Sequence, residues 1–508
     1  MQHPERVVVL DYGSQYNLLI TRRIRECGVY SELVDPSRSW EEISRERPTA
    51  VVLSGGPNSV YDQGAPGLPK GLMDSGVPVL GICYGMQLMA RELGGHVVPG
   101  TVREYGPARF VVEQDSPLFA GLSREERCWM SHGDRVDKLP EGFVSLASSE
   151  HALAAIGNPE RRWFGLQFHP EVSHTPHGKA ILKNFLQLAG CRFEWDAGHF
   201  VHDAVEEIRQ KTEGQHVACA LSGGVDSSVA AALVHQAIGD RLHCLFVDNG
   251  LLRQGEAEQV MEILGGRGLN IRMIPAQDRF LRALDGVTDP EAKRKRIGEA
   301  FIRVFEEELD HRPDIHFLVQ GTLYPDVVES GGARSATIKT HHNVGGLPER
   351  MRLKLLEPLR ELFKDEVRLV GRELGLPERV LMRQPFPGPG LAVRCPGVVR
   401  ADRLEALKGA DRIVREEIEK AGAHQDLWQY FAVLLPVQSV GVMGDQRTYS
   451  EVVSVRAVSS LDAMTADVAR LDWDLLARIS TRIVNEVRGV NRVLYDITPK
   501  PPGTIEWE

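Results

Sequence analysis

Ser222-Gly223-Gly224-Val225-Asp226-Ser227-Ser228 packs two glycines, three hydroxyls and a carboxylate into seven positions. Before it lies Val217-Ala218-Cys219-Ala220-Leu221, short, apolar and partly β-branched, the pattern of a buried parallel strand. After it Val229 to Val234 reads as a helix. The turn therefore sits where a strand hands over to a helix, whose free N–H groups and positive dipole end attract anions. Two glycines let the backbone approach a phosphate, and the hydroxyls add donors. Asp226 would repel that phosphate unless a cation such as Mg²⁺ lay between them; otherwise it is simply a carboxylate at a helix end. No Gly-Lys-Ser/Thr ending follows, so this is not a Walker A loop that cleaves at the γ-phosphate.

Outward from this turn, apolar runs at 217–221, 243–247, 271–274 and 316–320 alternate with helical patterns. The spacing predicts a parallel α/β domain over residues 192–384. Lys293-Arg294-Lys295-Arg296 reads as a solvated helix face. Residues 330–346 carry a glycine pair near each end and no apolar periodicity, which suits a lid. On that reading Lys339 closes onto phosphates as charge builds; the bland alternative is a loop whose lysine keeps it soluble.

The first 191 residues repeat the α/β pattern, with strands expected at 7–10, 50–53 and 77–82 and a helix over 15–26. Ligands collect at the carboxyl ends of such strands. Ser54-Gly55-Gly56-Pro57 ends one of them, offering glycine N–H groups to an oxyanion. Gly81-Ile82-Cys83-Tyr84-Gly85 ends the next in the form of a nucleophile elbow, with small residues allowing a sharp turn. Gly56 and Tyr84 are the expected oxyanion-hole residues. A helix starting near Met86 would lower the Cys83 thiol from about 8.5. Downstream, Gly165-Leu166-Gln167-Phe168-His169-Pro170-Glu171 ends an apolar strand in a histidine able to act as base and then acid. Glu171 can hold its tautomer.

Beyond the rigid connector Pro387-Gly388-Pro389-Gly390, residues 385–508 read as an α+β module: helices at 403–421 and 474–488, strands at 431–442, 452–458 and 492–497. The prolines and glycine of Lys500-Pro501-Pro502-Gly503-Thr504-Ile505-Glu506 give the tail a fixed shape. The full chain of 508 residues is too long for one core, and its net charge of −10 disfavours general nucleic-acid binding. Seven scattered cysteines without CxxC pairs fit a reducing compartment, and no apolar window is long enough to span a bilayer. A cytoplasmic protein that meets no membrane is expected.

The serine–glycine turn resembles the loop of ATP-pyrophosphatases, which cut ATP between its α- and β-phosphates. Cys83 with His169 and Glu171 resembles the class I glutamine amidotransferase triad. Residues 245–253, 320–326, 339–348, 383–391 and 500–508 resemble the GMP synthetases, and the likeness covers essentially the whole chain. It implies two parallel-sheet α/β domains, a glutaminase and an ATP-pyrophosphatase, plus a C-terminal α+β dimerisation domain. It implies glutamine hydrolysis through a thioester at Cys83, His169 and Glu171. ATP then adenylates the 2-oxygen of xanthosine 5′-phosphate (XMP), and ammonia displaces AMP to give GMP. Gln87, Ser131, His132 and Gly133 match the family's glutamine-holding positions, or are structural polar groups. Ser222 to Ser228, with Val225 and Val247, match its ATP site. Arg294 and Lys500 match contacts to the XMP phosphate, and Ile505 and Glu506 contacts to its base. Mg²⁺ with ATP, no prosthetic group, and a homodimer are the remaining expectations.

Overall fold

The computed structural model describes residues 5–331, 353–443, 445–460 and 465–508. Lys339 and most of the expected lid lie outside these residues. The chain forms two compact units, Met1–Phe200 and Val201–Glu508.

In the first unit the strands are β1 (Val7–Leu10), β2 (Ser31–Val34), β3 (Ala50–Leu53), β4 (Val79–Ile82), β5 (His96–Val112), β6 (Glu125–Lys138), β7 (Val144–Ser148), β8 (Leu153–Asn158) and β9 (Trp163–Leu166). They form one sheet in the order β2-β1-β3-β4-β9-β8-β7-β5-β6. The half from β2 to β9 is parallel. Its inner strands β1, β3, β4 and β9 are buried along their whole length, so they show as unbroken apolar runs. The other half is antiparallel. Its strands β5 to β8 were not anticipated. β6 buries alternate residues, among them Glu126, Cys128, Met130 and His132, a polar-rich alternation that lacks the mark of a buried run.

The second unit holds β10 (His216–Leu221), β11 (Leu242–Asp248), β12 (Ile271–Pro275), β13 (Ile315–Val319) and β14 (Lys354–Leu356) in a parallel sheet ordered β12-β11-β10-β13-β14. The first strand in the chain is central and the order reverses beside it. A switch point of this kind opens a crevice at the carboxyl ends of β10 and β13. The C-terminal strands β15 (Gln429–Met443), β16 (Gln446–Ser459), β17 (Asp467–Val468) and β18 (Val490–Asp496) form a second sheet around β16. Helices Ala401–Lys420 and Trp473–Glu486 contribute to its core. That core is continuous with the parallel sheet: Ala218, Leu245 and Leu251 belong to the same cluster as Leu404, Ile413, Val455 and Ile479.

One expectation is overturned. Lys293 is not on a solvated face. It is fully buried, and its ammonium donates to the carbonyls of Ala392 and Cys395 and reaches the Glu508 carboxylate. A basic run shows charge but not which residue turns inward. Lys295 and Arg296 are exposed as expected.

Candidate active site

In the first unit the helix Tyr84–Glu92 begins directly after Cys83, which has φ 51° and ψ −107°. A non-glycine residue there costs about 1–3 kcal/mol and persists only when its surroundings hold it. The surroundings do. A Cβ on Gly85 would lie 2.4 Å from the Leu53 carbonyl oxygen, and one on Gly81 2.6 Å from the Met86 nitrogen. The helix start can therefore press against β3 and β4 only because both flanking positions are glycine. The Cys83 N–H donates to Leu166 O (2.7 Å) and the Gly85 N–H to Ser54 O (3.1 Å), tying the turn to the ends of β9 and β3.

His169 lies past the end of β9 and is held by its own N–H on Trp129 O (3.0 Å). Its Nδ1 is 2.7 Å from the buried Glu171 carboxylate, so Nε2 is left free to serve the Cys83 sulfur. Burial pulls the imidazole pKa down, but the Glu171 carboxylate and the Cys83 sulfur together carry it well above the ordinary value. Tyr16 meets the ring edge-on at 5.3 Å.

The other expected residues of this unit gather around the thiol. Gly56 abuts the elbow, since a Cβ on it would sit 3.4 Å from the Tyr84 ring and 2.6 Å from Tyr12 O. Tyr84 opens the helix, where its N–H has no partner within the helix. β6 brings up Ser131, whose carbonyl is 3.5 Å from the Cys83 sulfur. His132, next to it, lies between Asp134 O (3.0 Å) and Glu104 (3.1 Å). Gly133 follows on the same strand. The Gln87 amide donates to Asp134 O (2.8 Å) and to Gln167 Oε1 (3.2 Å). Two further residues join the site, Gln167 and Glu104. Gln167, fully buried, points its amide nitrogen at the Cys83 sulfur (3.7 Å). It stood in view inside the Gly165–Glu171 motif as a spacer. Glu104 lies on β5, which no sequence signal had marked.

In the second unit Gly223 takes φ 73° at the carboxyl end of β10, and the helix Val225–Ile238 starts two residues later. The serines hold the loop. Ser222 Oγ and Ser227 Oγ are 3.0 Å apart, the Gly224 N–H donates to Ser222 Oγ (3.3 Å), and Ser228 Oγ donates to Gly224 O (2.8 Å). The loop after β13 closes the crevice, with Gly321 against Asp226. Val247 sits one residue past the Leu221–Phe246 pairing, beside the start of the loop. Asp226 occupies the first helical turn and both its oxygens lie 2.5 Å from Lys364 Nζ. The cation beside this carboxylate is thus a lysine, Lys364. A partly exposed carboxylate is still a suitable hard ligand for Mg²⁺, so the site fits that ion if Lys364 shares or yields its place.

The tail is held by basic side chains rather than by proline and glycine alone. Arg456, buried, donates to the carbonyls of Thr498, Thr504 and Ile505. Arg394, also buried, makes a bidentate pair with Glu506 (2.7 and 2.9 Å). Ile505 packs with Phe431, Val433 and Val458, Lys500 bridges to Ala466 through its backbone, and Arg294 donates to Glu508 O (2.6 Å). Between tail and loop lie further arginines absent from the expected set. Arg383 donates to Gly223 O (2.6 Å), and Arg253 and Arg394 stack on Phe386 at 4.5 and 5.2 Å. Burial lowers both Arg253 and Arg383 to about 10, with neighbouring guanidiniums adding to the effect. Carboxylates stand among these arginines: Glu256 pairs with Arg383, Asp411 lies 3.5 Å from Arg253, and Glu506 holds Arg394.

Comparison with known proteins agrees with this layout. The family model described as glutamine amidotransferase class-I matches residues 8–188, and that described as GMP synthase C terminal domain matches 416–507. A model described as tRNA methyl transferase HUP domain matches 215–259, the segment with the serine–glycine loop. Over 512 residues, the whole of both chains, the sequence is 57% identical to the GMP synthase (glutamine-hydrolyzing) of Caldicellulosiruptor saccharolyticus. It is 57% identical to that of Syntrophomonas wolfei (99% of each chain) and 58% identical to that of Thermomicrobium roseum (100% of this chain, 98% of the relative). With a thiol elbow in one unit and a phosphate-type loop in the other, and with full-length identity at this level, the chain belongs to the glutamine-hydrolysing GMP synthase family.

Proposed function

We propose that this enzyme converts XMP to GMP, using ammonia from glutamine and cleaving ATP to AMP and pyrophosphate. What carries the reading is the pairing of two unlike turns in one chain: Cys83 at a strained strand-to-helix turn near a glutamate-held histidine, and a glycine–serine loop at a helix start. In the first, the Cys83 sulfur attacks the glutamine side-chain amide. The N–H groups of Gly56 and Tyr84 receive the oxyanion, and His169 protonates the departing ammonia. Water then opens the thioester with His169 as base, while Glu171 keeps Nε2 directed at the reacting atoms. Gln87, Ser131, His132 and Gly133 shape the glutamine pocket.

In the second, backbone and hydroxyl groups of residues 222–228 hold the ATP phosphates, and Val247 lies toward the base. The XMP 2-oxygen attacks the α-phosphorus, the bond to the β-phosphate oxygen breaks, and pyrophosphate leaves. Ammonia then adds at C2 and AMP departs. Mg²⁺ entering with ATP, held at Asp226, would neutralise phosphate charge. Arg294, Lys500, Ile505 and Glu506 are assigned to XMP, and Lys339, outside the described residues, to the closing lid. We divide the chain functionally at 191 and 384. The exposed Val437, Val440, Val442 and Tyr449 of β15 and β16 suit a homodimer contact. All seven cysteines are free, which suits the cytoplasm, and among the described residues no helix is long and apolar enough to cross a membrane. The test is one assay with ATP, XMP and glutamine. AMP, pyrophosphate and GMP should appear in equal amounts; ADP and phosphate would refute the reading.

A further inference from the structure

Glu506, assigned above to the substrate base, does not swing freely at the end of the chain. Its carboxylate is gripped by Arg394, a fully buried side chain, through two parallel bonds: Nη2 to Oε1 (2.7 Å) and Nε to Oε2 (2.9 Å). The Gln429 amide adds a further donor to Oε1 (3.3 Å) and also donates to Pro385 O (2.8 Å). A carboxylate oxygen offers about two acceptor positions. Both are filled on Oε1 and one stays open on Oε2, and the Glu506 side chain is still 19% exposed. One acceptor position is thus left for a ligand, in a direction set by the fork.

The guanidinium is itself fixed in place. It lies over the Phe431 ring at 3.8 Å and near the Phe386 ring at 5.2 Å. Arg394 ends the turn Gly390–Arg394, whose start is packed on the loop after β11. There the Leu391 N–H donates to Leu251 O (2.8 Å), and a Cβ on Gly390 would lie 2.4 Å from that same oxygen. The backbone just ahead of Glu506 has a different holder, since Arg456 takes the carbonyls of Thr504 and Ile505. Arg456 places the chain, and Arg394 aims the carboxylate. Packing alone does not account for Arg394, because an apolar side chain of like volume would fill the space with no charge to desolvate. Its Nη1 has no hydrogen-bond partner and lies 3.9 Å from Asp411.

We propose that Arg394 is a positioning residue for XMP recognition, aiming Oε2 of Glu506 at an N–H of the xanthine ring. The inference rests on the assignment of Glu506 to the base. Being fully buried, Arg394 reaches the substrate only through that carboxylate. The fork matters as well as the charge: a lysine would supply a point charge and leave the carboxylate free to turn.

The test is steady-state kinetics of the full-length enzyme with ammonia as nitrogen source, on Arg394→Lys, Glu506→Gln and the double variant. R394K should raise KM for XMP about tenfold, with kcat and KM for ATP within about threefold of wild type. E506Q should raise it at least as much. The double variant should match E506Q to within about threefold, because a glutamine amide cannot accept the fork and leaves Arg394 nothing to aim. A role in packing alone predicts that the two losses multiply and that KM for ATP changes along with KM for XMP; either result would overturn the proposal. A raised KM in E506Q with a normal one in R394K would overturn the positioning role and leave the base assignment standing. An unchanged KM in E506Q would overturn both. Should R394K fail to fold, as judged by its melting curve, Glu506→Asp decides the matter. Its carboxylate is one methylene too short to keep the fork and meet the base, so KM for XMP should again rise about tenfold, and a wild-type value would overturn the proposal.

Discussion

Both units place a sharp turn between a parallel strand and a helix, yet they use glycine in opposite ways. At the elbow the left-handed position belongs to Cys83 itself, and the glycines stand on either side to clear space. At the phosphate loop the left-handed position belongs to Gly223, and the side chains around it tie the loop down. The first arrangement exposes a side chain, and the second exposes backbone N–H groups. A nucleophile needs the former and an anion the latter.

The largest effect expected from breaking this contrast is at the side chain. Cys83→Ala should reduce glutamine-dependent GMP formation by more than ~10³-fold while leaving ammonia-dependent formation near the wild-type rate. Loss of both activities in the folded variant would mean that the two turns are not independent. Glu171→Gln comes next, lowering glutaminase turnover by ~10²–10⁴-fold through the loss of imidazole orientation. It also has a pH signature. The raised pKa of His169 means that its protonated form stabilises the folded unit fully below the unfolded value of about 6.5, a contribution lost as pH rises through the folded value. The melting gap between wild type and E171Q should therefore be widest in acid and narrow toward alkaline pH. A gap independent of pH would contradict the ion pair.

The glycine roles are separable by the same substitution. Gly85→Ala should destabilise by about 3 kcal/mol or more, because its Cβ meets the immovable Leu53 carbonyl. Gly223→Ala should cost only about 1–2 kcal/mol, since the strain is conformational and the nearest atom is a Val260 methyl at 3.0 Å. Calorimetry on both variants would reverse the argument if the order were inverted. The smallest effect is expected at Lys364→Ala. Its pair with Asp226 is partly exposed, so the stability change should stay below ~1 kcal/mol, and a clearly larger loss would show that the pair braces the loop.

Much of this was legible before any coordinates. The inner parallel strands announce themselves because burial on both faces admits only apolar residues, as in Val7–Leu10 and Ala50–Leu53. The two turns are legible because their residue types are chemically demanding and contiguous. The antiparallel strands β5 to β8 were missed because one-sided burial lets polar residues alternate with apolar ones. The buried position of Lys293 was missed because its acceptors, at 392, 395 and 508, are about a hundred residues away or more.

Residue type and spacing alone mark the strand ends at Gly81–Gly85 and Ser222–Ser228 as places for reactive or donor groups, since glycine, cysteine and serine gathered at a strand-to-helix turn are rarely mere spacers. Which distant groups meet them came from the packed fold. It set Gln167 and Ser131 against the Cys83 sulfur, Lys364 on Asp226, Arg383 on Gly223, and His216 beside His243. Such partners come from separate strands and helices, and their meeting depends on sheet order and register. These are properties of the packed chain that no local run of residues encodes.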